Sequence, residues 1–310
     1  MDAAPPYGVP WHDLRNRGFV HVRGFLSADD LQEFRQDYAR RRVLRRQNVN
    51  YDVPNVSDAT VWRLEPKLAA ACRAVQAAAG LVADMTTAGL YFAIEKGVNF
   101  PWHQDHESYF LFQQHTDHLN FYMPILKPDP AHSNLCVIPF DELQRRIPER
   151  TFLRIAGCGA SRFVSGEGTT HVDNDETGES FTLPVDLEEL KAVPELWPGD
   201  LLLLRGDVIH RTQDARSERI AVSIHRTSSS RSIKRARLLA GSAAKRSMMQ
   251  QNWSDYRAVL QCLQALGRDE VTPRELQAYC SSAAVACSAI LRDDGINSPP
   301  TFARREESVK

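Results

Sequence analysis

The chain has 310 residues, 43% hydrophobic and 25% charged, a composition that supports a sizeable core and excludes disordered, collagen-like and coiled-coil classes. Lysine and arginine (38) nearly balance aspartate and glutamate (39), for a formal charge of -1, so no global field draws the protein to nucleic acid or anionic lipid. The longest apolar runs, such as Leu201 to Leu204, fall far short of the roughly 20 residues a membrane helix needs.

Met1 to Pro6 lack the basic start and apolar run of a secretory signal. The six cysteines (Cys72, Cys136, Cys158, Cys262, Cys280 and Cys287) include no Cys-x-x-Cys pair. They read as reduced core thiols of a cytoplasmic protein rather than a disulfide or zinc framework.

The first element is a short β-rich run, Phe19 to Val22. Gly24-Phe25-Leu26 leads to Ser27, a helix N-cap with Asp30 three residues on, and Leu31, Phe34 and Tyr38 follow at helical spacing. The basic end of this helix, Arg40 to Arg42 with Arg45 and Arg46, reads as a solvated face, since cations favour a helix C-terminus. Pro66, tolerated in a first turn, predicts the start of a second helix running to about Met85.

From Gly89 onward the pattern changes to short β-prone runs separated by Gly, Pro, Asp and Asn: Leu90–Ile94, Tyr109–Phe112, Leu119–Ile125, Leu135–Ile138, Leu201–Leu204 and Ile220–Ile224. Many short strands with turn signals predict a sandwich or barrel. The polar segment from Asp141 to Trp197 reads as an inserted solvated loop. Beyond Arg226 the chain turns helical, and Thr272-Pro273-Arg274-Glu275 is a capping signature. Leu276, Tyr279, Cys280, Ala283, Cys287 and Ile290 are expected on one face of the helix that follows.

Three features carry chemistry. In Trp102-His103-Gln104-Asp105, an extended backbone sends His103 and Asp105 to one face and Gln104 to the other. After the turn Pro198-Gly199-Asp200, four leucines describe a strand buried on both faces, and the next turn delivers His210. Two imidazoles and one carboxylate are the facial ligand set of non-heme Fe(II). In Arg219 to His225, Ile220, Val222 and Ile224 form one face and Arg219, Ala221, Ser223 and His225 the other. If that second face lines a cavity, Arg219 supplies a charged fork suited to a carboxylate, with Ser223 as a second donor. His115 and His118 read as surface or loop residues, and His106 and Glu107 as the rim of a substrate entrance.

With Gly18 to Leu26, these elements resemble the phytanoyl-CoA dioxygenase-like family of Fe(II)/2-oxoglutarate-dependent oxygenases. The resemblance spans roughly Gly18 to Arg226 and implies a mainly β fold with flanking helices around a double-stranded β-helix (jelly-roll, cupin-like) core. One oxygenase domain is expected over 1–310: core about 86–226, N-terminal helical support 1–85, C-terminal helical extension 227–310. His103, Asp105 and His210 would bind iron; Arg219, assisted by Ser223, would hold the distal carboxylate of 2-oxoglutarate. Lys96, Asn120 and Tyr122 fall where the family has cofactor-pocket or adjacent residues.

The implied reaction uses O2 and hydroxylates an unactivated C–H of a small molecule, releasing succinate and CO2; desaturation or cyclisation could follow from the same chemistry. Asp105, intact here, is the carboxylate a related halogenase replaces. The sequence departs from the family pattern at Ser133-Asn134-Leu135 and Pro139-Phe140-Asp141, which bears on the substrate rim. The alternatives are a cupin-like metal-dependent isomerase or hydrolase without keto acid, and a non-catalytic binding module on the same fold. No nucleic-acid or membrane partner is expected, and neither substrate identity nor oligomeric state is readable from the sequence.

Overall fold

A computed structural model describes residues 8–42, 54–94, 99–113, 116–153, 161–251, 253–285 and 287. The N-terminal elements are α1 (Asp13–Asn16), β1 (Phe19–Val22), α2 (Ala28–Arg41) and α3 (Asp58–Ala79). The central elements are β2 (Met85–Ala93), α4 (His106–Phe110), β3 (Leu119–Leu126), β4 (Leu135–Val137), α5 (Phe140–Arg146), β5 (Ser161–Gly166), β6 (Thr169–Asn174), β7 (Ser180–Leu183), α6 (Leu187–Leu190), β8 (Leu201–Arg205), β9 (His210–Thr212) and β10 (Ile220–Thr227). The C-terminal elements are β11 (Ile233–Lys234), α7 (Arg235–Leu239), α8 (Ala243–Gln251), α9 (Trp253–Leu266), β12 (Glu270–Val271) and α10 (Pro273–Ser282).

Both predicted capping boxes form. The Ser27 side chain accepts from the Asp30 N–H while Asp30 accepts from the Ser27 N–H, and Thr272 and Glu275 do the same at α10. The second helix differs from expectation. It starts at Ser57, whose hydroxyl accepts from the Thr60 N–H, and Pro66 lies inside it. Proline there forfeits one helical hydrogen bond, but Val61, Leu64, Leu68, Cys72 and Val75 are buried on one face, and that packing carries the helix through. The helix stops at Gly80 in the left-handed conformation, so Met85 opens a strand instead.

The five-stranded sheet runs β1-β8-β3-β10-β2, every pair antiparallel. Its strands are buried on both faces, which explains the unbroken leucines of β8. Leu201 and Leu203 join Phe121, Val222 and Ile224 against α2 and α3, whereas Leu202 and Leu204 join Phe19, Tyr122 and Ala221 against Leu135 and Val137 of β4. Gly18 sets the entry to β1 at φ +85, where a Cβ would lie 2.4 Å from Val208 Cγ2.

The facing layer is built from the pairs β4-β9 and β5-β6-β7, joined by residues 102–104. His103 pairs through its backbone with His210 on one side and Arg162 on the other, and the Phe163 N–H donates to the Trp102 carbonyl. Two antiparallel sheets packed face to face make the jelly-roll.

The segment Asp141 to Trp197 is not a solvated loop: β5, β6 and β7 form a sheet whose Phe163, Val172 and Leu183 share a core with Trp102, Cys136 and Ile209. Its alternating polar residues belong to the exposed face of a half-buried sheet. Tyr109 and Phe110 lie in α4 rather than in a strand. Their β propensity is overridden because Tyr109, Phe110 and Phe112 are covered by the C-terminal helices through Leu238, Tyr256, Val259, Leu263 and Leu276. On α10, Leu276 and Cys280 are buried as expected, whereas Ala283 is exposed beyond the helix end; Ile290 and Cys158 lie outside the described residues. The other five cysteines are buried and none of them forms a disulfide. Among the described residues no helix is long and apolar enough to cross a membrane.

Candidate active site

His103, Asp105 and His210 converge as the alternation of an extended segment requires. The backbones of His103 and His210 exchange hydrogen bonds of 3.0 and 2.9 Å, which sets their rings 4.3 Å apart between centroids. Gln104 faces the opposite way and is bolted in place: its Nε2 donates to the Asp207 carbonyl at 2.9 Å and its N–H to the Ser161 carbonyl at 3.0 Å. The Asp105 N–H donates to the Gly206 carbonyl, so the turn after β8 braces both halves of the site.

The tautomers follow from the second partners. His103 Nδ1 donates to the Pro101 carbonyl at 2.8 Å and His210 Nδ1 to the Val208 carbonyl at 3.0 Å. Each ring therefore keeps an Nε2 lone pair free for a metal, in the outer-partner arrangement that orients ligating histidines. Burial, aided by the neighbouring His210, lowers His103 to about 3, and burial lowers His210 to about 4, so both rings are neutral near pH 7. Asp105 Oδ1 sits 3.7 Å from His210 Nε2, and its Oδ2 is buried without a hydrogen-bond partner. One ligand atom from each residue lies within 4.8 Å of the others. Two imidazole lone pairs beside a carboxylate that keeps one orphaned oxygen are a donor set that fits a divalent transition metal.

Arg219 is buried, donates from Nη1 to the Ser133 carbonyl at 3.1 Å, and leaves Nε without a partner. Its guanidinium stands 5.8 Å from the centre of the Tyr122 ring, and the buried Tyr122 hydroxyl also lacks a partner. Burial raises the Tyr122 hydroxyl, which therefore stays protonated as a donor. Two unmet donors of this kind suit an anion. Ser223 and Asn120 share this side of the sheet but engage each other: Ser223 Oγ donates to Asn120 Oδ1 at 2.5 Å. Lys96 lies outside the described residues.

The sequence reading missed several neighbours. His118 is fully buried rather than on the surface, and burial holds it down at about 4; His115 lies outside the described residues. Glu107 does not stand alone at an entrance: its carboxylate accepts from His225 Nδ1 at 2.8 Å. Burial opposes ionisation of both, but their mutual charge and hydrogen bond outweigh it, holding His225 above and Glu107 below its ordinary value. His106 Nε2 meets Asp175 at 3.0 Å, and Arg162 holds Asp175 with two hydrogen bonds, so β5 and the β6–β7 turn close over the segment after Asp105. Lys127, at the end of β3, is lowered to about 8 by burial, partly offset by Asp129 and reinforced by the charge of Arg219. No local pattern signals the contacts of Glu107 with His225 and of His106 with Asp175, because they join elements distant in sequence.

Among solved structures, the chain is similar to the epimerase SnoN in complex with Fe3+, alpha ketoglutarate and nogalamycin RO, at 16% identity over 71% of this chain and 82% of that one, TM-score 0.47. It is also similar to EctD from S. alaskensis with 2-oxoglutarate and 5-hydroxyectoine, at 13% identity over 71% and 75% of the two chains, TM-score 0.47. EvdO2 from Micromonospora carbonacea var. aurantiaca complexed with 2-oxoglutarate gives 15% identity over 71% and 90%, TM-score 0.45. No curated protein matches the chain. The family model described as Phytanoyl-CoA dioxygenase (PhyH) matches residues 14–222, which takes in the His103, Asp105 and His210 elements together with Arg219. By that match over more than half of its length, the chain belongs to the phytanoyl-CoA dioxygenase family.

Proposed function

We propose that the chain is an Fe(II)- and 2-oxoglutarate-dependent dioxygenase that hydroxylates an unactivated C–H bond of a small molecule. The observation that carries this reading is the convergence of His103, His210 and Asp105, whose ligand atoms lie within 4.8 Å of one another and whose carboxylate keeps one buried oxygen unpartnered, within a family of such oxygenases. His103, Asp105 and His210 would hold the iron, and three ligands on one side leave positions open for co-substrate. Arg219, with the Tyr122 hydroxyl beside it, would bind the distal carboxylate of 2-oxoglutarate; Ser223 and Asn120 would shape that wall. When bound, ferrous iron, 2-oxoglutarate and O2 supply the oxidant, with release of succinate and CO2.

The chain's own part is ligation, orientation and exclusion of water. Gln104 and the Val208 carbonyl fix the ligand geometry, and buried Arg219 offers a charge that only an anion can match. A single domain over the described residues is part of this proposal, because the helices after β10 share their core with Tyr109 and Phe110 of α4. The test is anaerobic titration of the purified chain with Fe(II) and then 2-oxoglutarate, followed by visible charge-transfer absorption, with succinate release measured once O2 is admitted. Saturable keto-acid binding that depends on Fe(II) is expected. Metal binding with no response to 2-oxoglutarate would replace this reading with a keto-acid-independent cupin-like enzyme.

A further inference from the structure

A second set of metal-ligating side chains lies beside the first. Glu107 in the first turn of α4, His118 just before β3 and His225 on β10 bring one ligand atom each within 4.8 Å of one another. Among the described residues, this and the His103–Asp105–His210 set are the groups of three that meet that geometry. The two sets share no residue and have the same donors: two imidazoles and one carboxylate.

His118 is the independent sign of a ligand. The residue is fully buried and neither ring nitrogen has a hydrogen-bond partner, a state that buried polar groups rarely keep without one. The ring is also held in place. Phe112 stacks on it at 5.7 Å, His225 meets it edge-on at 5.3 Å, and the Gly206 N–H donates to its backbone carbonyl at 2.8 Å.

The second partners of His225 are those of a ligating histidine. Ser223 Oγ donates its one proton to Asn120 Oδ1, so its 3.1 Å contact with His225 Nε2 places the proton of that contact on the ring. Nδ1, facing Glu107 at 2.8 Å, is then the ligating nitrogen, with its orientation fixed by an outer partner. Size agrees as well. Three atoms no more than 4.8 Å apart share a centre within about 2.8 Å of each, and small inward movements reach the roughly 2.0–2.2 Å bonds of zinc to imidazole and carboxylate.

We propose that Glu107, His118 and His225 form a second divalent-metal site of zinc-class chemistry, separate from the His103–Asp105–His210 site. The ion takes the place of the proton between His225 and Glu107, and that proton leaves to solvent. Bound there, it ties α4, the start of β3 and β10 into one unit, on the side where α9 brings Tyr256 near Glu107. The donor set favours Zn2+, Co2+ or Fe2+ over Mg2+ or Ca2+, which prefer oxygen.

The test is equilibrium dialysis of the metal-stripped full-length chain against Co2+ alone, with metal content measured per chain. Two equivalents are expected for the wild type and one each for Glu107→Gln, His118→Ala and His103→Ala. The double variant His103→Ala/Glu107→Gln should bind none. Glu107→Gln keeps the side-chain shape and carries the test should His118→Ala fail to fold. A wild type binding one equivalent that His103→Ala abolishes would overturn the second site, as would a second equivalent that survives Glu107→Gln. A wild type binding one equivalent that survives His103→Ala and is lost in Glu107→Gln would instead refute the first site and leave the second standing.

Discussion

Asp207→Asn should be the most damaging conservative change in the turn that delivers His210. Arg205 and Asp207 form a forked pair, Nε to Oδ1 at 3.0 Å and Nη2 to Oδ2 at 2.6 Å, with side chains 4% and 0% exposed. The Arg205 guanidinium also lies over the Phe140 ring at 4.8 Å, which covers one of its faces. Removing one partner of a buried pair leaves the other charge uncompensated, at a cost of about 3–5 kcal/mol. That is a large part of the roughly 5–15 kcal/mol that stabilises a typical native protein. For a domain of this size it corresponds to a fall in Tm of about 10 °C.

The same turn offers the Asp207 carbonyl to Gln104 and the Val208 carbonyl to His210, so Co2+ affinity at the His103 site should weaken with stability. Thermal unfolding of the metal-free chain, paired with a metal titration, measures both effects. The double variant Arg205→Met/Asp207→Leu should recover much of the lost Tm, because it removes both charges together. A fall of less than about 1 kcal/mol for Asp207→Asn would show that Arg205 finds other compensation and would refute the reasoning.

Asp105→Ala removes the carboxylate of the His103–Asp105–His210 set and should weaken Fe(II) or Co2+ binding by more than the roughly 10–100-fold typical of losing an outer-shell partner. Unchanged metal content at limiting metal would remove it from the ligand set. Arg219→Ala should raise the KM for 2-oxoglutarate at least about tenfold, since a buried carboxylate loses its charged partner; an unchanged value in a succinate-release assay would exclude Arg219. Glu188 accepts from Trp102, Arg211 and Lys191, and despite partial burial these partners, Arg211 foremost, bring its carboxylate to about 2. A depressed carboxylate stabilises the fold above its ordinary value near 4.5 and loses that contribution as pH falls through about 2. The Tm advantage of wild type over Glu188→Gln should therefore shrink from pH 5 to pH 2, and a constant difference would assign Glu188 a non-ionic role.

The capping boxes at Ser27 and Thr272, the doubly buried strand Leu201–Leu204 and the shared face of His103 and Asp105 were legible because each is set within a few residues. A cap needs a side chain three positions away, and alternation needs only an extended backbone. Pro66 misled for the same reason: its local preference for a first turn yielded to the apolar face of a helix begun nine residues earlier at Ser57. Tyr109 and Phe110 yielded likewise, because their partners lie in the C-terminal helices.

The amino-acid sequence by itself determined the kinds of donor available, the face each occupies on its own segment, and family membership through the order of those segments. Tertiary structure alone decided that a polar insertion becomes the sheet flanking His103, and that Glu107, His118 and His225 meet. The physical reason is range. Glu107 and His225 are 118 positions apart, and which distant backbones pair depends on how two sheets twist and pack around one core.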